Sequence, residues 1–135
     1  MHTTKPRETT TFDRSYPGSV DQVARVRADL AQAALGCPVV DDLVLLASEL
    51  AANAVLHSKS GHLDHTFTVR ATLYHGEYVR VEVIDQGGSW AVNDYDDEHG
   101  RGFSVVAGIA GGGSWGIEGD ETSRVAWFRL DWTHA

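Results

Sequence analysis

The stretch Val40-Asp-Asp-Leu-Val-Leu-Leu-Ala-Ser-Glu-Leu-Ala-Ala-Asn-Ala-Val-Leu-His57 decides the fold, together with two later ones, Phe67-Thr-Val-Arg-Ala-Thr-Leu-Tyr74 and Val79-Arg-Val-Glu-Val-Ile84. Between the first stretch and the later two, the hydrophobic period changes from about 3.6 to about 2. In the first, Leu43, Val44, Ala47, Leu50, Ala51, Ala54 and Val55 form a wide apolar stripe, uninterrupted by Gly or Pro. That predicts a helix over 40–57, with Asp41 and Asp42 in the first turn, where the helix dipole favours negative charge. In the later two, Phe67, Val69, Ala71 and Leu73 alternate with polar residues, as do Val79, Val81 and Val83 after the turn His75-Gly76-Glu77. That is an antiparallel hairpin with one buried face.

Between the helix and the hairpin, Ser58–Asp64 reads as a loop. Pro38 suits the first turn of the long helix. Before it, Val23, Val26, Leu30 and Ala34 recur at spacings of three and four, which predicts an amphipathic helix ending at Gly36 and capped by Ser19 or Asp21. Phe12 to Tyr16 reads as a short edge strand closed by Pro17-Gly18, and residues 1–11 as a flexible N-terminal arm. Toward the C-terminus, Ser89 to His99 is a polar loop with an acidic run. Phe103 to about Ala110 is a short helix broken by three glycines. Ser114–Glu118 and Arg124–Trp132 form a final pair of strands around Gly119-Asp120-Glu121. Helices and antiparallel strands in separate blocks predict an α+β two-layer sandwich, one domain over residues 12–135.

Composition bounds the function. The chain of 135 residues is 42 % hydrophobic and 22 % charged, which fits a folded domain and excludes a wholly disordered one. Eleven Lys and Arg against 19 Asp and Glu give a net charge of −8, which argues against a nucleic-acid backbone as partner. No apolar run is long enough for a membrane span, and the polar start has no secretory h-region. The single cysteine, Cys37, cannot form an internal disulfide. A cytoplasmic protein is expected.

Three places carry chemistry. Glu49 and Asn53 are four apart, so they share one helix face. A carboxamide oxygen suits a hard cation such as Mg²⁺, and a carboxylate can polarise a hydroxyl or water. Taken alone, the pair also fits a plain solvent-facing polar edge. Asp85 ends a Val/Ile strand before Gln86-Gly87-Gly88, where a carboxylate can accept from an exocyclic amine and glycine lets a flat ring approach the backbone. Gly100-Arg101-Gly102 precedes the short helix, where backbone N–H groups and the dipole favour phosphate. It is neither a dinucleotide fingerprint nor a Walker A loop.

In chain order, Glu49-Leu-Ala-Ala-Asn53-Ala-Val-Leu-His57-Ser58, Asp85-Gln86-Gly87-Gly88 and Gly100-Arg101-Gly102-Phe103 resemble the Bergerat-fold, histidine-kinase-like ATP-binding superfamily, and within it the anti-sigma-factor serine kinases. The resemblance covers about residues 12–132. It implies a mixed, mostly antiparallel sheet covered on one face by helices. It implies Asn53 as Mg²⁺ ligand and Glu49 as general base toward a serine of a small antagonist protein. Asp85 would hold the adenine amine, with Gly87 under the ring. Gly100, Arg101, Gly102 and Phe103 would lie by the phosphates, in a lid spanning Ser89 to Arg101. The implied protein binds Mg-ATP, phosphorylates the antagonist and sequesters a sigma factor, and the resemblance suggests a homodimer. The alternative is a non-catalytic, ATP-binding partner-switching module. The last strand departs from the family pattern, with Val125 where a threonine near the adenine is usual, and the lid is acidic.

Other patterns yield to plainer readings. Gly112-Gly113-Ser114-Trp115-Gly116 spells a nucleophile elbow, but a helix precedes it and a strand comes after, the reverse of what an elbow needs. His57, His62 and His65 lack metal-ligand spacing. Cys37 reads as a small packed residue, and Trp127 and Trp132 as residues on opposite strand faces.

Overall fold

The computed structural model describes residues 8–57, 65–86, 114–120 and 122–132. Among these residues, five strands and two helices run in the order β1 (Thr9–Pro17), α1 (Asp21–Ala33), α2 (Val40–His57), β2 (Thr66–Tyr74), β3 (Tyr78–Asp85), β4 (Trp115–Gly119) and β5 (Arg124–Asp131). They form one sheet in the order β1-β2-β3-β5-β4. All four pairings are antiparallel, so the parallel pair that a mixed sheet would have is not found among the described strands.

The long helix and the central hairpin stand where the periodicity puts them. Gly76 turns the hairpin at φ 82°, and Glu77 N–H donates to the Tyr74 carbonyl at 2.9 Å. The edge strand is longer than its apolar residues suggest. Thr9, Thr10 and Thr11, read as part of the arm, pair with Tyr74, Leu73 and Thr72 and extend the ladder, so β1 begins at Thr9. Threonine's branched β-carbon suits that pleated surface. The cap of α1 also differs. Val20 is the N-cap and makes no side-chain bond, while the Ser19 hydroxyl donates to the Asp21 carboxylate at 2.5 Å. The first turn is tied instead by Gln22 N–H to the Ser19 carbonyl and Val23 N–H to the Val20 carbonyl. At its far end Gly36, at φ 88°, supplies the left-handed residue that turns the chain toward α2.

Both helices lie on one sheet face. Alternation fixes that face: Phe67, Val69, Ala71 and Leu73 of β2, Val79, Val81 and Val83 of β3, and Phe128 and Leu130 of β5 are buried. Across the gap, Leu43, Leu46, Ala47, Leu50, Ala51 and Ala54 of α2 and Val26 and Leu30 of α1 complete the core. α1 packs on β1, and α2 lies chiefly over β3, with lesser contact to β2 and β5. α1 sets out from the Pro17 end of β1 and runs back along it, as the Tyr16 to Asp29 bond shows. The short link through Gly36 then reverses the chain, so α2 finishes at the sheet end where β3 finishes.

The other face is uncovered by the described helices and carries a cross-strand row. Asp13, Arg70, Glu82, Trp127 and Gly116 are register partners from β1 to β4. Arg70 bridges Asp13 at 2.9 Å and Glu82 at 3.9 Å. The Trp127 indole lies across Gly116, where a Cβ would come within 2.8 Å of Nε1, and Arg80 stacks over it at 4.6 Å from the ring centroid. Trp132, in contrast, packs against the core, so the two tryptophans do use opposite faces.

Candidate functional site

The buried residues of α2 wrap round one flank as far as Ser48 and Val55, and the opposite flank carries Glu49 and Asn53. Four residues apart, the two side chains are stacked one turn on the next. Both are half-buried. The Asn53 Nδ2 atom is buried and makes no hydrogen bond. A buried amide donor without an acceptor costs about 1–3 kcal/mol, so this one asks for a ligand oxygen. Ser48, on the other flank, instead satisfies itself by donating to the Leu45 carbonyl at 2.8 Å.

Asp85 is the last residue of β3 and continues the alternation of Val79, Val81 and Val83, so its side chain lies on the helix-covered face. It is only 7 % exposed. Beyond it, Gln86 is held back against the sheet, its Oε1 accepting from Thr66 N–H at 3.0 Å. The strand end carrying Asp85 is thereby fixed to the start of β2. α2, which carries Glu49 and Asn53, lies chiefly over β3, the strand that Asp85 ends.

The register of β5 adds a residue that motif reading missed. Asp85 faces Arg124, whereas Val125 faces Ile84. Val125 therefore lies on the sheet face opposite Asp85, and the β5 residue beside the carboxylate is Arg124, itself 7 % exposed. Its signal was present in the alternation: Arg124 has the same parity as Phe128 and Leu130, a charge on the core side of a strand. The β4–β5 turn orients it, because Arg124 Nε donates to the Asp120 carbonyl at 3.0 Å. That turn is itself ordered by the Asp120 carboxylate, which accepts from Thr122 N–H at 2.8 Å, Thr122 Oγ1 at 2.7 Å and Ser123 N–H at 3.1 Å. The Thr122 hydroxyl, and then these backbone donors, hold the Asp120 carboxyl below its ordinary pKa.

Gly87, Gly100, Arg101, Gly102 and Phe103 lie outside the described residues, as do the lid, the loop 58–64 with His62, and the short helix from Phe103. Ser114 directly precedes strand β4, the wrong order for a nucleophile elbow. Cys37 is buried beside the core, where loss of solvation pushes its thiol pKa up and keeps it protonated. No described helix is long and apolar enough to cross a membrane.

The strand end thus carries a buried carboxylate, and the helix over that strand carries a carboxamide with an unmatched donor and a carboxylate one turn away. These groups suit a polar ligand with an amine at one end and oxygens at the other. In comparison with known families, the one described as the histidine kinase-like ATPase domain matches residues 14–121. No curated protein matches the chain.

Proposed function

The chain belongs to the histidine kinase-like ATPase domain family, an ATP-binding fold, and from that premise we propose that it is an anti-sigma-factor-type regulator. In this reading it binds Mg-ATP, phosphorylates a serine of a small antagonist protein and sequesters a sigma factor. The observation that carries the reading is the unmatched Asn53 amide beside Glu49, on the helix that packs over the strand ended by buried Asp85.

Each residue has a role that its chemistry allows. Asp85 accepts a hydrogen bond from the adenine amine, an acceptor-only group meeting a donor. Asn53 fits Mg-ATP on both its atoms: Oδ1 suits the metal, and the orphaned Nδ2 suits a phosphate oxygen. A bound Mg²⁺ supplies neutralisation of phosphate charge. Glu49 takes the proton of the substrate serine as that oxygen forms its bond to the γ-phosphorus and the bond to the β-phosphate oxygen breaks, leaving ADP. Gly87, Gly100, Arg101, Gly102 and Phe103 are assigned to the ring and the phosphates on the sequence pattern alone.

Calorimetric titration with ATP, with and without Mg²⁺, tests the binding half of this reading. Saturable binding strengthened by Mg²⁺ is expected, and no binding at millimolar ATP would remove the site. Transfer of labelled phosphate to an antagonist-like protein encoded nearby tests the other half. Partner binding without transfer would leave a partner-switching module with no chemistry.

A further inference from the structure

Beside Asp85 the sheet places a second buried charged residue, Arg124. Arg124 and Asp85 are register partners, on one face, at the end of adjacent strands, and each is 7 % exposed. Directly opposed side chains on one face of an antiparallel pair are close neighbours. The Arg124 Nε donates to the Asp120 carbonyl at 3.0 Å. That bond fixes the guanidinium plane at the sheet end where Asp85 stands. The sheet thus places a rigid, planar donor group next to an acceptor-only carboxylate.

Such a pair matches a purine edge on which an acceptor stands next to a donor. Adenine offers that combination on either side of its N6 amine, with N1 on one flank and N7 on the other. We infer that Arg124 is a base-reading residue of this nucleotide site, donating to a ring nitrogen of the purine while Asp85 accepts from the exocyclic amine. The inference rests on the reading of Asp85 as the base-binding carboxylate. It adds a second recognised atom and makes Arg124 a determinant of which base the site takes.

Deleting one ligand atom at a time against one side chain at a time separates this role from a structural one. The probes are ATP, 7-deaza-ATP, which lacks N7, and 1-deaza-ATP, which lacks N1. They are titrated against the wild-type chain and against Arg124→Leu, with folding checked by circular dichroism. One of the two analogues is expected to bind the wild type about tenfold more weakly than ATP, the usual loss for a hydrogen bond to a charged group. Arg124→Leu is expected to bind that analogue and ATP equally. A purely structural arginine would weaken all three ligands together and leave their ratios alone. The inference is overturned if both analogues bind the wild type as ATP does, or if the penalty persists undiminished in the variant. Should Arg124→Leu not fold, Arg124→Met offers a longer apolar side chain without a donor, and an undiminished penalty there is equally decisive. Failure of the underlying reading looks different: the wild type would bind no ATP, or Asp85→Asn would bind it unchanged.

Discussion

The Tyr16 hydroxyl donates to the Asp29 carboxylate at 2.8 Å, and Arg14 reaches the same oxygen at 2.7 Å. Edge strand and first helix are thus joined through one carboxylate, over a tyrosine ring that is buried and stacked on Phe67 at 5.5 Å. Tyr16→Phe keeps the ring and removes the bond. It should lower stability by about 1.5 kcal/mol, the lower range for a hydrogen bond to a charged group, because Arg14 remains. Urea denaturation of the two proteins measures the difference, and equal midpoints with equal slopes would show that the bond contributes nothing.

The same cluster sets two pH limits. The Tyr16 hydroxyl first, and then Arg14, hold the Asp29 carboxyl below its ordinary pKa. Its stabilising contribution is therefore fully present above the unfolded value, near pH 4, and is lost as pH falls through the folded value. Burial, and then the bond to Asp29, push the Tyr16 hydroxyl above its ordinary pKa. Its contribution is fully present below about pH 10 and is lost as pH rises beyond that. Asp29→Asn should flatten the acid side of the stability curve, and Tyr16→Phe the alkaline side.

Gly119→Ala should be a costly single-methyl addition. Its φ is 114°, a region that residues with a side chain rarely occupy, and a Cβ there would run into the Ser123 carbonyl oxygen. Strain of this kind costs about 1–3 kcal/mol before the clash is counted. Thermal melting gives the loss, and because the displaced turn orients Arg124, nucleotide affinity should fall with it.

Asp85→Asn should leave the fold and weaken ATP binding. The amide replaces an acceptor-only group with one that presents donors to the adenine amine. The expected loss is about 1.5–3 kcal/mol in binding, read by calorimetry. Wild-type affinity in the variant would place the base elsewhere.

Glu49 and Asn53 should part company in their phenotypes. Asn53→Ala removes the proposed metal ligand, so Mg-ATP binding and phosphoryl transfer fall together. It also removes the unmatched amide, so the ligand-free protein should become no less stable than expected for losing a half-buried side chain. Glu49→Gln is nearly isosteric and should keep nucleotide while losing roughly 10²–10⁴-fold in transfer. Equal transfer rates would remove Glu49 as the base.

The helix and the hairpin were legible because burial writes a period into the sequence: every alternate residue from Phe67 to Leu73, and from Val79 to Val83, is buried. The start of β1 was not, because Thr9 to Thr11 are held by the ladder with β2 rather than by an apolar pattern of their own. Glu49 and Asn53 could be picked out by their four-residue spacing on one helix, and Asp85 by its place at a strand end before Gln86-Gly87-Gly88. Arg124 escaped because its meaning depends on which residue it faces. A shift of one position in β5 would have put Val125 beside Asp85, and only the strand register decides between the two.

The position of β5 has a consequence for how the chain is made. It enters between β3 and β4, after every other described strand has been synthesised. Until it emerges, β3 has an open edge and β4 no neighbour among the described strands. A growing chain can form β1, β2, β3 and both helices and still lack the partner that faces Asp85. The segment that finishes the sheet also finishes the candidate binding site, so a nascent chain gains its nucleotide site only in its last stage of synthesis. Any premature stop before Arg124 should release a product that exposes β3 as a template for pairing with other chains.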